Sequence, residues 1–194
     1  MRGVRTHVAW VAAFIWAAVM VVPGATSTAD TAGLAVEEFM IPSADPGIRL
    51  YLRNKHRADR QDFAPERALL FVHGASQPAE ATFDLELDGL SWMDFIARRG
   101  WDVFLVDLRG YGRSTRPPEM DRPPEASPPI VRTDVAARDV AAAVDFVLGH
   151  RGIPRLSLLG WSWGTTLVGG YAAEHPERVE RLVLHAALWL SEGV

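Results

Sequence analysis

Arg155–Ala173 reads RLSLLGWSWGTTLVGGYAA, and this stretch decides the fold. Leu156, Leu158 and Leu159 form an apolar run of β character that meets Gly160-Trp161-Ser162-Trp163-Gly164, and a helix-forming segment follows at once. G-x-S-x-G between a strand and a helix is the pattern of a nucleophile presented on a sharp turn. A serine at so tight a turn is expected to sit in a strained backbone conformation, its Oγ projecting alone above the sheet edge. Glycine is expected on either side because Cβ atoms would clash there. The helix behind the serine aims backbone N–H groups and a partial positive charge at any oxyanion formed beside it.

Working outward, the segments around this elbow alternate in type. Glu37–Ile41 and Ile48–Leu52 read as two short strands joined by a turn at Ser43–Gly47, and the polar residues Asn54–Glu66 as a connecting loop. Ala68–Val72 is a continuous apolar run, the mark of a strand buried on both faces, and Trp101–Val106 reads as another buried strand. Ser91–Arg99 predicts a helix with Trp92, Phe95 and Ile96 on one face. Thr133 is a candidate N-cap for a helix to about Leu148, stopped by Gly149 and Gly152. After the elbow come a helix over Thr165–Glu174, a break at His175-Pro176, and a strand over Val179–Leu184. Such alternation predicts an α/β fold, a mostly parallel sheet with helices on both faces. Six of the 13 prolines lie between Pro117 and Pro129, which predicts an extended, partly polyproline II loop, read either as a rim of the site or as a plain stiff connector.

Composition bounds the function. The chain has 194 residues, 48% of them hydrophobic and 23% charged, enough for one domain with its own core. A net charge of −4 with no basic stripe argues against nucleic acid as a partner. The absence of cysteine removes disulfides, thiolate catalysis and Cys-based metal sites. Arg2 and Arg5 precede the uncharged run Val8–Val22, followed by small residues. This reads as a signal peptide over residues 1–29, cleaved near Ala25 or Ala29, leaving residues 30–194 as an exported domain. The run is short for a membrane span, so membrane contact is expected only through an uncleaved leader.

Three signals stand in chain order at the ends of successive buried strands: HGAS from His73, VDLRGYGRS from Val106, and GWSWGTT from Gly160. Together they resemble the α/β-hydrolase superfamily over roughly Glu37–Leu188, the N-terminal half of such a domain. GWSWGTTLVGGYAAEHPERVERLVL is similar to the proline iminopeptidase-type and esterase-like branches. The resemblance implies Ser162 as nucleophile, with oxyanion donors from the backbone N–H groups of Trp163 and Ala75. It implies that His73 shapes its loop, that Asp107 and Arg109 brace the turn after their strand, and that no metal or organic cofactor takes part. Dehalogenases and epoxide hydrolases of this fold carry aspartate at the elbow, so Ser162 points instead to acyl transfer on a small-molecule substrate. Carboxylic-ester hydrolysis is the first expectation and an iminopeptidase-like amide hydrolysis the second. A non-catalytic module that keeps the elbow is the third. Trp161 and Trp163 are read either as walls of an acyl pocket or as packing for the elbow helix.

A serine hydroxyl needs a base, and the base an orienting acid. The 32 residues after Ser162 hold no aspartate, only Glu174, Glu177, Glu180 and Glu192, with His175 and His185. Glu174, His175 and Glu177 read as structural, and His185 lacks an acid to orient it. The triad acid and base are therefore expected beyond Val194, with the chain an incomplete hydrolase domain and Leu182–Leu184 on an uncovered sheet edge. Asp84–Gly89 faintly resembles a calcium loop, but Phe95 stands where the twelfth-position glutamate would be, so it reads as polar surface.

Overall fold

The computed structural model describes residues 33–188, and the leader read over residues 1–29 lies outside them. The first described elements are a hairpin. β1 (Leu34–Pro42) turns through Gly47, at φ 79°, into β2 (Arg49–Arg57). Then follow β3 (Ala68–Val72), α1 (Ala79–Phe83), α2 (Trp92–Ala97), β4 (Asp102–Val106), α3 (Thr133–Arg151), β5 (Leu156–Trp161), α4 (Trp163–Glu174) and β6 (Val179–His185). The sheet order is β1-β2-β4-β3-β5-β6, antiparallel through the first three strands and parallel from β4 to β6. The fold is thus an α/β fold with a mostly parallel sheet.

Period-two alternation assigns the layers. Leu70, Val72, Phe104 and Val106 pack with α3 and α4, whereas Leu69, Phe71, Val103 and Leu105 pack with α1 and α2. Both faces are covered, which explains why β3 is apolar at every position and β4 at every position after Asp102. The chain leaves β3 toward β4 over the α1/α2 face and leaves β5 toward β6 over the α3/α4 face. Adjacent strands β3 and β5 therefore send their connections to opposite faces. In an open α/β sheet, that divergence opens a crevice at the carboxyl ends of the two strands. Here the crevice lies between His73 and Ser162.

Several boundaries differ from the sequence reading. Asn54–Arg57 belong to β2 rather than to a loop, because they pair with Leu34–Glu37 of β1 and Asn54 and Lys55 bury their polar groups in pairs. Asn54 Nδ2 donates to Asp102 Oδ1 at 2.7 Å, and Lys55 Nζ reaches Asp94 Oδ1 at 2.8 Å. The proline-rich segment is not wholly extended: 3₁₀ turns form over Pro118–Asp121 and Pro124–Ala126. Proline opens each turn, where its missing N–H is not needed. Arg132 rather than Thr133 caps α3, which runs through Gly149 and ends at left-handed Gly152, φ 65°. α4 starts at Trp163, directly after the serine.

The hairpin is tied to the turn after β4 by Glu38. Its carboxylate accepts from Arg113 Nη1 at 2.9 Å, Arg53 Nη2 at 2.8 Å and the Tyr51 hydroxyl at 2.8 Å. Arg113, then Arg53 and Tyr51, lower its pKa from 4.5 to about 2. The unfolded chain therefore binds the Glu38 proton first as pH falls, so this contribution is complete above the ordinary value and is lost toward pH 2. Glu38→Gln is expected to flatten the acid limb of a Tm-against-pH curve between pH 4.5 and about 2. An unchanged acid limb would contradict this account.

Candidate active site

Ser162 sits between β5 and α4 at φ 53° and ψ −119°, a conformation costing a non-glycine residue about 1–3 kcal/mol. Surrounding hydrogen bonds hold it there. Its N–H donates to the His185 carbonyl at 3.0 Å, and its carbonyl accepts from Thr165 N at 2.9 Å and Thr165 Oγ1 at 2.6 Å. The glycines allow three backbones to converge. A Cβ on Gly160 would stand 2.4 Å from the Gly164 carbonyl oxygen, and one on Gly164 would stand 2.4 Å from that of Val72. Ser162 is half-buried, and its Oγ has no hydrogen-bond partner among the described residues.

The loop after β3 comes directly against this serine. A Cβ on Gly74 would lie 3.1 Å from Ser162 Cβ and 3.6 Å from its Oγ, so only glycine admits the approach without displacement. His73 is fully buried and both ring nitrogens are engaged. Nε2 accepts the Leu108 N–H at 3.1 Å, which puts the ring proton on Nδ1, 2.6 Å from the Gly74 carbonyl. Burial holds the ring below the ordinary imidazole value, against the opposing pull of the Gly74 carbonyl and Asp107. His73 is therefore a neutral residue that binds its own loop to the turn after β4.

That turn is fastened by Asp107 and Arg109. Asp107 Oδ1 accepts the Ala79 N–H at 2.8 Å, which starts α1, and Oδ2 accepts the Arg113 N–H at 3.0 Å. Arg109 grips Asp139 of α3 by two parallel bonds, Nε–Oδ2 at 2.8 Å and Nη2–Oδ1 at 2.6 Å. Tyr111, on the same turn, donates its hydroxyl to the Ala75 carbonyl at 2.6 Å, and its ring lies 4.7 Å from that of His73.

Two backbone N–H groups remain open beside the serine. Those of Ala75 and Trp163 donate to no group among the described residues. Trp163 is the first residue of α4, so the positive end of the helix macrodipole adds to its N–H. A cleft of about 510 Å³ opens next to them, lined by Ala75, Tyr111, Val131, Thr133 and Trp163. A larger groove of about 710 Å³ between Met40–Ala44 and α3 lies at the opposite edge strand, without these donors.

The other residues marked in the sequence fall elsewhere. Trp163 packs on the α3 side, its Nε1 3.3 Å from Thr133 Oγ1, while Trp161 packs on the α1/α2 side. The His185 imidazole rests edge-on against Trp92 at 5.7 Å, and only its backbone meets Ser162. Glu174 and His175 close α4, with His175 against Tyr171. Asp84 is buried among Arg53, Lys55 and Ser91. Gly74 and Tyr111 are the site residues that sequence reading passed over. Their signals were the HG pair and the R-G-Y-G run, each at the end of a buried strand.

The family model described as alpha/beta hydrolase fold matches residues 67–193. The mouse (lyso)-N-acylphosphatidylethanolamine lipase is 35% identical over 116 residues, 60% of this chain and 29% of the lipase. Proline iminopeptidase of Neisseria meningitidis is 34% identical over 103 residues, 47% of this chain and 29% of that protein. The chain thus spans under a third of the length of these curated relatives. Among solved structures, an epoxide hydrolase from Vigna radiata superposes with a TM-score of 0.58 at 17% identity, covering 81% of this chain and 42% of that one. The thioesterase domain from the curacin biosynthetic pathway gives 0.57 at 20% identity, covering 82% and 49%. At these identities the likeness is one of fold.

Proposed function

Since the chain belongs to the alpha/beta hydrolase fold family, we propose that it carries the nucleophile and oxyanion site of a serine hydrolase acting on a carboxylic ester or related acyl group. In this reading Ser162 Oγ attacks the acyl carbon. The carbonyl oxygen becomes an oxyanion received by the N–H groups of Trp163 and Ala75. Collapse expels the alcohol and leaves an acyl-enzyme, which water then hydrolyses. The observation that carries it is the strained, half-buried Ser162, its Oγ without a partner among the described residues, on an elbow that also bears the open Trp163 N–H and meets the loop of Ala75. Such donors act where charge develops and need no reorganisation, and each is worth about 3 kcal/mol of transition-state stabilisation. Attack requires a base that takes the Oγ proton and returns it to the departing alkoxide, and in this reading that base lies outside the described residues. His73 is not that base, because its ring nitrogens are spent on Leu108 and Gly74.

The likeness to a proline iminopeptidase supports amide hydrolysis as a second reading. The fold-level likeness to an epoxide hydrolase carries less weight, because the elbow here holds a serine. The test is treatment of the full chain with a fluorophosphonate, followed by peptide mass mapping, alongside hydrolysis of p-nitrophenyl esters and of proline p-nitroanilide. A single adduct on Ser162 is expected. Ser162→Ala is expected to lose the adduct and lower turnover by about a thousandfold or more. Ester turnover that survives Ser162→Ala would reject the assignment, and preference for the anilide would select the amide reading.

A further inference from the structure

We propose that Tyr111 is a positioning residue for the oxyanion site, holding the loop through the Ala75 carbonyl. The inference rests on the reading of Ser162 as nucleophile and of the Ala75 N–H as an oxyanion donor. Its basis is the geometry of two consecutive peptide planes. In a trans peptide the carbonyl of one residue and the N–H of the next point in opposite directions, and no cis bond occurs among the described residues. The Gly74 carbonyl is bound by His73 Nδ1 at 2.6 Å, which turns the Ala75 N–H to the other side of that plane. The Ala75 carbonyl is bound by the Tyr111 hydroxyl at 2.6 Å, which fixes the next plane. Both dihedral angles of Ala75 are thereby set by side chains rather than by secondary structure. Ala75 itself is exposed, and its N–H has no partner among the described residues to hold it.

Tyr111 is suited to this because its own turn is rigid. Its N–H donates to the Leu108 carbonyl at 3.0 Å, and its carbonyl accepts from Ser114 N at 3.1 Å. Gly110, at φ 82°, leads into it and closes on Thr115 at 2.9 Å. The same tyrosine lines the cleft beside Ala75 and Trp163. One residue therefore joins the wall of the cleft to the orientation of the donor. An oxyanion donor contributes only if it already points at the forming charge, so a loop free to swing would lose transition-state stabilisation while leaving substrate binding largely intact.

Tyr111→Phe in the full chain tests this, since it removes the hydroxyl and keeps the ring against His73. Amide order parameters of Ala75 and Ser76 are expected to fall from the rigid range near 0.85 to below about 0.6, while those of β3 and β5 stay unchanged. The kcat per fluorophosphonate-reactive Ser162 is expected to fall roughly tenfold, with KM within about twofold, a fraction of the loss on removing a donor outright. A merely structural tyrosine would lower Tm or the reactive fraction and leave kcat per reactive site alone. Unchanged order parameters, or a fall in them with kcat per reactive site unaltered, would overturn the proposal. If the wild-type serine proved unreactive, the nucleophile reading would fail by itself, and the order parameters would still decide whether Tyr111 holds the loop.

Discussion

Gly164→Ala is expected to destabilise the fold by about 3 kcal/mol or more, lowering Tm by about 6–12 °C for a chain of this size. The reason is the identity of the atoms it would meet. A Cβ on Gly164 lies 2.4 Å from the Val72 carbonyl oxygen and 2.7 Å from that of His73. Both belong to the backbone at the end of β3, so no rotamer change relieves the overlap. Either β3 parts from α4 or the elbow opens, and each route also moves Gly74 away from Ser162. Thermal unfolding followed by circular dichroism checks the first effect, and loss of fluorophosphonate labelling at Ser162 checks the second. A variant with wild-type Tm would mean that α4 does not pack on β3 as closely as described. Gly169→Ala is the control, because nothing lies within 4 Å of a Cβ at that helical position.

Asp139→Ala comes next in size, at about 3 kcal/mol. Asp139 is fully buried in α3 and receives Arg109 Nε, Arg109 Nη2, the Arg109 N–H and the Ser43 hydroxyl. Removing it strands a guanidinium whose side chain is only 6% exposed, with the more open Asp45 as its remaining charged partner. Leaving one member of a buried pair without the other costs about 3–5 kcal/mol, and Asp45 keeps the estimate at the lower end. The pair itself adds less than this figure, because both charges are desolvated in forming it. Arg109→Met combined with Asp139→Leu is accordingly expected to recover most of the lost Tm. Equal Tm for Asp139→Ala and wild type in thermal melts would refute the burial argument. A double variant as unstable as Asp139→Ala would show that the arginine has a further role in the turn.

The sequence made the elbow legible because its determinants are local. An apolar run, two glycines around a serine and a helix-forming segment all act within one turn of chain, and the structure has Ser162 at that junction with φ 53°. β3 and the Val103–Val106 part of β4 were legible for a similar reason, since burial on both faces calls for a run of apolar residues. Asn54 and Lys55 were read as loop because their partners Asp102, Asp84 and Asp94 stand far along the chain. α1 was missed for the same cause. It has no side-chain cap of its own, and its first N–H is satisfied by Asp107, 28 residues downstream. The R-G-Y-G run marked the turn that carries Tyr111 but not its bond to Ala75, which spans 36 residues and exists only after β3 and β4 pair.

The pairing of β3 with β5 also governs when the site comes into being. Leu69 lies opposite Ser157 and Val72 opposite Gly160, each pair 88 residues apart along the chain. Closing so long a loop costs entropy before its contacts are gained, and folds dominated by such contacts acquire them slowly. A chain folded only as far as β4 holds the His-Gly turn and the Tyr111 clasp but has no serine beside them. An isolated β5–α4 hairpin lacks the β3 carbonyls that Gly164 packs against. The half-buried, strained serine is thus placed beside its neighbours by the same strand pairing that completes the central sheet.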